Sequence, residues 1–238
     1  MTTAAFDIEN LDIDEDRSRL ESLRGKRIGR LVVHIREPDD AERVASCKSV
    51  DHLELWGWKE PDLTSIEGLA VKYLRMVRGR QTSVKGLNSK RLKKLSVQSC
   101  GKLRELDIPH LPWLWVWACN NLDANSFGSV RGLVGLDFHM RREISSLAFV
   151  AECRSLKCLS IDTYSWKTQD FQPLVEAPAL ELVGFSRRCP AFIEALSVAN
   201  QKLLIGHTDS GCFMRAGRRV TEEDYLKGRR AFNKKYDV

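Results

Sequence analysis

One short apolar pattern, Leu-x-x-Leu-x-Leu or a close variant, occurs eight times in this chain of 238 residues. The intervals between successive central residues are 22, 21, 21, 19, 22, 23 and 24 residues. Apolar residues that alternate over a short run are typical of a β-strand, and a near-constant interval indicates stacked repeats. A lone strand of this length cannot bury its apolar face, so the copies must stack side by side. The central residues are Leu31, Leu53, Leu74, Leu95, Leu114, Leu136, Leu159 and Val183.

The period and the pattern resemble those of the leucine-rich repeat family over residues 25–205. The chain looks like the small, stand-alone bacterial members. The resemblance implies an α/β solenoid of about eight repeats. A parallel β-sheet would form its concave face, and short helices and turns its convex face. Members usually carry Asn or Cys five residues after the central Leu, as Cys100 and Cys119 do here. The other copies depart from this, so we expect an irregular, shallow solenoid.

The charges at the two ends of the chain have opposite signs. Residues 1–24 contain seven acids and three bases, whereas residues 215–238 contain eight bases and four acids. The terminal repeats of a solenoid need a polar cover over the open core. We therefore predict an acidic N-terminal cap at residues 1–24, the solenoid at residues 25–205, and a basic C-terminal cap with a terminal helix at residues 206–238.

The fifth copy of the pattern places three tryptophans on alternate positions of one strand. Leu114 and Val116 match the apolar positions, so Trp113, Trp115 and Trp117 should share the outward face. A register slip by one residue would bury the tryptophans instead, but the other seven copies argue against it. An exposed cluster of this kind usually marks an interaction site, and Trp is enriched at binding hot spots. The alternative is that neighbours, a tail or a second copy of the chain cover the rings.

Other outward positions extend this predicted partner-binding face. The first four copies carry three bases there, Arg30, Arg75 and Lys94, against one acid, Glu54, whereas copies six and seven carry the acids Asp137 and Asp162. In the family, these outward positions are the usual binding surface. Mixed charge fits a protein partner better than a uniformly anionic polymer. Besides the three tryptophans, the predicted binding residues are Trp56, Tyr73, Arg75, Lys94, Asp137, His139 and Asp162.

The sequence contains no recognisable catalytic or cofactor motif. We find no phosphate-binding glycine loop, no nucleophile elbow and no H-E-x-x-H motif, so we predict no enzyme, no metal and no cofactor. No apolar run is long enough to span a bilayer, and the N-terminus does not resemble a secretory signal. Seven cysteines in such a chain suggest reduced thiols and a cytoplasmic location.

The sequence therefore predicts a non-enzymatic module that binds a partner protein on its concave face. An immunity protein that neutralises a bacterial toxin is one use for such a module. An effector or adaptor that captures a host or cellular protein is the alternative. A binder of nucleic acid or an anionic surface is a third hypothesis, based on the net charge of +6 and the sequence pI near 9.0.

Overall fold

The computed structural model describes residues 6–13, 17–87, 90–108, 110–123, 126–127, 130, 132–141, 143–144, 146–163, 170–186, 190–207 and 211–236. The chain forms two compact units, Met1–Arg131 (unit 1) and Gly132–Val238 (unit 2).

Unit 1 is built on six strands that pair in parallel, each with the next along the chain. Short helices and turns connect them, namely 3₁₀ helices at Arg17–Leu23 and Thr64–Ile66 and the helix α1 at Asp40–Ala45. All five predicted strands of this unit are present, and the predicted N-terminal cap contributes a sixth. The strands are β1 (Ile8–Asp12), β2 (Arg27–His34), β3 (Ser49–Trp56), β4 (Ala70–Val77), β5 (Lys94–Gln98) and β6 (Trp113–Trp117).

Four successive strands of unit 1, β3–β6, end in the same turn. The residue four places after the central leucine has a positive φ in four consecutive repeats: Gly57 (69°), Arg78 (53°), Ser99 (54°) and Ala118 (54°). Only one of these is glycine, although left-handed backbone is uncommon for other residues. Hydrogen bonds between repeats hold the turn, because the amides of Gly57, Arg78 and Ser99 each donate to a carbonyl of the next repeat at 2.8–2.9 Å. The turn is thus more regular than the sequence led us to expect.

In two successive repeats, the cysteine that follows the turn fills the space beneath it. The Cys100 thiol lies 3.8 Å from the Met76 carbonyl oxygen, and the Cys119 thiol lies 3.6 Å from that of Val97. These contacts suit the structural position that the family resemblance assigns to both cysteines. In the preceding repeat this place is taken by Gly79, and the buried side chain of Gln81 occupies the space where a β-carbon at Gly79 would lie. In this repeat Gln81 therefore fills the space that a cysteine side chain fills in the next two repeats.

Unit 2 repeats the arrangement and then ends in antiparallel strands. The strands β7 (Gly135–Met140), β8 (Cys158–Thr163), β9 (Leu182–Phe185) and β10 (Leu204–His207) are parallel. The strands β11 (Cys212–Arg215) and β12 (Arg218–Arg219) continue the sheet as an antiparallel hairpin. The helices are α2 (Phe149–Glu152), α3 (Gln172–Glu176), α4 (Pro190–Ala199) and α5 (Glu222–Tyr236).

Both units have the α/β architecture of leucine-rich repeats. In every predicted copy the central residue is buried, with at most 2% of its surface exposed, and faces the short helices and turns. The predicted fold class is confirmed. The last predicted strand is followed by one more parallel strand, β10. The predicted boundary between the solenoid and the C-terminal cap falls within this strand.

The helix α5 lies on the outward side of the sheet of unit 2. Thr221 caps it, because its hydroxyl accepts a hydrogen bond from the Asp224 amide at 3.1 Å. Tyr225 is buried over Gly206 and stacks on Phe213 with ring centroids 4.8 Å apart. The sequence predicted this helix as part of a cap over the open core. In the structure, the β11–β12 hairpin pairs with the last parallel strand, and the helix covers outward positions of the sheet.

Candidate functional site

The outward positions of β2–β6 form a grid of three rows, which we call the unit 1 face. The strand register aligns them across the sheet. It brings together every binding residue predicted in this unit. The first row is Arg30, His52, Tyr73, Lys94 and Trp113; the second is Val32, Glu54, Arg75, Ser96 and Trp115; the third is His34, Trp56, Val77, Gln98 and Trp117.

The three tryptophans of β6 lie at one end of this grid. Trp113 and Trp115 are half-buried, whereas Trp117 is 41% exposed. Trp115 and Trp117 stack with centroids 6.4 Å apart and an interplanar angle of 20°. Leu114 and Val116 are 1% and 0% exposed, so the register slip that would bury the tryptophans does not occur.

Glu54 organises the centre of the unit 1 face. Its carboxylate accepts a hydrogen bond from the Trp56 indole at 2.8 Å and lies 3.4 Å from the Arg75 guanidinium. Arg30 approaches it at 3.7 Å from the other side. Arg75 also donates to the Gln98 amide oxygen at 2.7 Å. These bonds orient Trp56 and Arg75, because a hydrogen bond with a charged donor or acceptor is stronger than a neutral one.

Two histidines stack against aromatic neighbours in adjacent strands. The His34 ring lies 5.0 Å from that of Trp56, and the His52 ring lies 4.4 Å from that of Tyr73. Burial lowers the pKa of His52, and the charges of Lys72 and Arg30 lower it further against the opposing effect of Asp51. The lowered pKa favours the neutral imidazole of His52, whose ring stacks on Tyr73.

Lys94 has a different environment from the two arginines. It is exposed, and the register places it between Tyr73 and Trp113. Among the described residues it makes no ion pair and no hydrogen bond through its ammonium group. Its charge therefore faces solvent beside aromatic rings.

In unit 2, the three predicted binding residues Asp137, His139 and Asp162 form one cluster. His139 Nε2 lies 2.9 Å from an Asp137 carboxylate oxygen, and its Nδ1 lies 3.0 Å from Asp162 Oδ2. Ser186 donates a hydrogen bond to the other oxygen of Asp162. The contact with Asp137 raises the pKa of His139, and Asp162 raises it further against the effect of burial. The predicted acidic residues are thus partly neutralised by the histidine between them.

A cavity of about 250 Å³ lies between this cluster and the helix α5. Besides the cluster, Ser160, Cys158, Tyr225 and Arg229 contribute to its lining. Burial raises the pKa of Cys158 to about 12, which leaves the thiol protonated and poorly nucleophilic. Both ring nitrogens of His139 are engaged by carboxylates, so the ring is poorly placed to act as a general base. Within the described ranges, no group of His, Cys, Asp and Glu is arranged to hold a metal ion.

The pairing of His139 with the two aspartates was not predicted, although the sequence contains a signal for it. His139 and Asp162 each lie three residues after their central leucine, so adjacent strands place them side by side. Asp137 lies two residues before His139 on the same face of β7. The cavity beneath α5 had no comparable signal, because it depends on where the helix packs.

No protein-family model matches the chain. No curated protein matches it either. Among solved structures, an internalin from Listeria monocytogenes is similar, with 12% sequence identity and a TM-score of 0.40. The match covers 75% of this chain, which spans 65% of the length of that internalin.

The described part of the chain contains no helix of the length and apolarity needed to cross a membrane. The six described cysteines, Cys47, Cys100, Cys119, Cys153, Cys158 and Cys212, are free thiols.

Proposed function

We propose that this chain is a non-enzymatic protein-binding module and that the unit 1 face binds the partner. The observation that carries the proposal is the stacked pair Trp115 and Trp117, with the Trp117 ring 41% exposed on a strand whose other face is fully buried. Large aromatic side chains held on a rigid strand lose little conformational entropy on binding. They are the residues most enriched at binding hot spots.

The dimensions of the unit 1 face suit the centre of an interface. Five strands about 4.8 Å apart span roughly 19 Å, and three outward rows span roughly 13 Å. A specific interface of standard size buries about 800 Å² on each partner, of which a few central residues carry most of the binding energy. The grid supplies such a centre, and the surrounding turns would supply the rim.

The network around Glu54 supports the proposal because it orients side chains before any partner arrives. Trp56 and Arg75 are held by hydrogen bonds at 2.8 and 2.7 Å, and Trp56 also stacks on His34. A surface that is already ordered avoids part of the entropy cost of association.

Affinity capture with matched variants tests the proposal. The immobilised chain would be incubated with an extract of its native cells, beside the variants Trp117→Ala and the triple Trp113→Ala/Trp115→Ala/Trp117→Ala. The control is Val198→Ala, because Val198 is 63% exposed and lies on α4 of unit 2. Truncating one hot-spot residue costs about 2 kcal/mol or more of binding free energy. Trp117→Ala should therefore weaken the affinity for the captured partner about 30-fold. A partner retained equally by all variants would remove the unit 1 face from the proposal.

Two uses of such a module remain within the proposal. As an immunity protein, the chain would rescue cells that express a cognate toxin, and the triple tryptophan variant would not. As an effector or adaptor, it would bind a host or cellular protein without protecting against any toxin. Co-expression with toxins encoded near its gene separates the two uses.

Three of the basic C-terminal residues form ion pairs, which weakens the hypothesis that the partner is a nucleic acid or an anionic surface. Lys227 pairs with Glu223 at 3.1 Å, Arg219 with Glu194 at 3.3 Å, and Lys235 with Glu181 at 3.2 Å. Such pairing lowers the net positive potential that phosphate binding requires. A nucleic-acid complex would lose affinity steeply between about 50 and 200 mM salt, which a filter-binding titration measures.

A further inference from the structure

We infer that the partner of the unit 1 face is an acidic protein segment that presents an apolar or aromatic side chain flanked by carboxylates. The inference rests on the proposed function and specifies the chemistry of the partner. It follows from the charges on the grid, from their burial, and from the aromatic groups beside them.

The outward positions of β2–β6 carry an excess of positive charge. They contain Arg30, Arg75 and Lys94 against a single carboxylate, Glu54, while His52 is kept neutral by the lowering of its pKa. The side chain of Glu54 is only 14% exposed, whereas those of Arg30 and Arg75 are 56% and 43% exposed. Within β2–β6, a partner therefore meets these cations rather than the Glu54 carboxylate.

The arginines retain hydrogen-bonding capacity toward a partner. A guanidinium has five N–H donors, and the Arg75 group uses one nitrogen for Gln98 and approaches Glu54 with another. Arg30 touches Glu54 only at 3.7 Å. Carboxylates match the planar geometry of the remaining donors, whereas a lysine or arginine on the partner would be repelled.

Lys94 marks the place where the charged and aromatic groups meet. Its ammonium is exposed between Tyr73 and Trp113, and it has no ion-pair partner among the described residues. A carboxylate that pairs with Lys94 would lie next to aromatic rings, where an apolar neighbour on the same segment could pack. An uncharged apolar partner would leave this ammonium desolvated without compensation, which costs binding energy.

Selection from a random peptide library tests the inference and needs no partner in hand. Phage displaying random 12-residue peptides would be selected separately on the intact chain, on Lys94→Glu and on Lys102→Glu. Lys102 is exposed in the turn after β5 and away from the outward rows, so its reversal changes the net charge equally. We expect peptides from the intact chain to be enriched in Asp and Glu next to an aromatic or large apolar residue.

Affinities of the selected peptides then separate the inference from the proposed function. Exposed ion pairs contribute about 0.2–1 kcal/mol, so Lys94→Gln should weaken binding about threefold. Lys94→Glu adds repulsion and should weaken it about tenfold, whereas Lys102→Glu should change it less than about twofold. The selected peptides could instead be neutral or basic, require the tryptophans, and bind Lys94→Glu as tightly as the intact chain. That result would refute the acidic partner and leave the proposed function standing. Peptides that bind the triple tryptophan variant unchanged overturn the proposed function itself.

Discussion

Replacing Gly206 by alanine should displace the helix α5 from the outward side of unit 2. A β-carbon at this position would lie 2.6 Å from both Cε2 and the hydroxyl oxygen of Tyr225, whereas carbon atoms normally pack at about 3.5–4.0 Å. The Tyr225 ring, which is 4% exposed, must therefore move by roughly 1 Å or more. Overpacking of this kind costs about 1–3 kcal/mol, and we expect about 2 kcal/mol for Gly206→Ala.

The neighbouring strand provides a matched control for this prediction. Gly184 pairs with Gly206 in the strand register, and neither residue has a positive φ. A β-carbon at Gly184 would meet Ser160 at 3.6–3.9 Å, which is ordinary contact. Because alanine also restricts the unfolded chain, Gly184→Ala should be neutral or stabilise by about 0.5 kcal/mol.

Thermal unfolding followed by circular dichroism measures both variants. A cost of about 2 kcal/mol lowers the Tm of a chain of this size by about 4–8 °C. Tyr225→Ala should remove the conflict, so the double variant with Gly206→Ala should be no less stable than Tyr225→Ala alone, a coupling of about 2 kcal/mol. Equal Tm values for Gly206→Ala and Gly184→Ala would refute the reasoning, because they would show that Tyr225 does not pack on Gly206.

Three further measurements test the electrostatics of the two units. Because its carboxylate contacts raise the pKa of His139, its stabilising contribution is complete below about pH 6.5 and is lost as the pH rises through the folded-state value. In urea titrations His139→Asn should therefore destabilise more at about pH 6 than at about pH 9, and an equal effect would contradict this. Burial raises the pKa of Cys158 to about 12, so iodoacetamide at about pH 8 should alkylate it far more slowly than a model thiol. Mass spectrometry measures the rate, and alkylation as fast as that of the model thiol would disprove the burial argument. Glu54→Gln should lower the free energy of unfolding by about 1–2 kcal/mol because two arginines lose their counter-charge, whereas the exposed Glu67→Gln should change it little.

Much of the unit 1 face could be predicted from the sequence because one periodicity determines it. Side chains alternate across a strand, so once Leu114 and Val116 are buried, Trp113, Trp115 and Trp117 must face outward. The near-constant interval between repeats also aligns the outward rows, and the register brings Tyr73 beside Lys94 as the pattern implies. The alternation of side chains within a strand and the interval between repeats can both be read directly from the sequence.

The contacts within that face could not be predicted, because they depend on rotamers and distances. The carboxylate of Glu54 could have extended into solvent, but in the structure it accepts a bond from Trp56 and contacts two arginines. The sequence likewise indicated only that Asp137 and Asp162 are acidic residues on the outward face. Their carboxylates are only a few ångströms from His139, which changes both the charge of the cluster and the pKa of the ring.

The sequence by itself determined the stacked strands, their register and the face to which each side chain belongs, since the repeat fixes all three. Tertiary structure alone decided where the C-terminal helix packs. The helix was predictable from Thr221 and the acids that follow, but its amphipathic surface could have covered the end of the core. It packs on the outward side instead, because two glycines, Gly206 on the strand and Gly228 on the helix, leave room for Tyr225 and Leu204 respectively. Such close packing depends on complementary surfaces from two segments that are distant in the sequence, so neither segment alone predicts it.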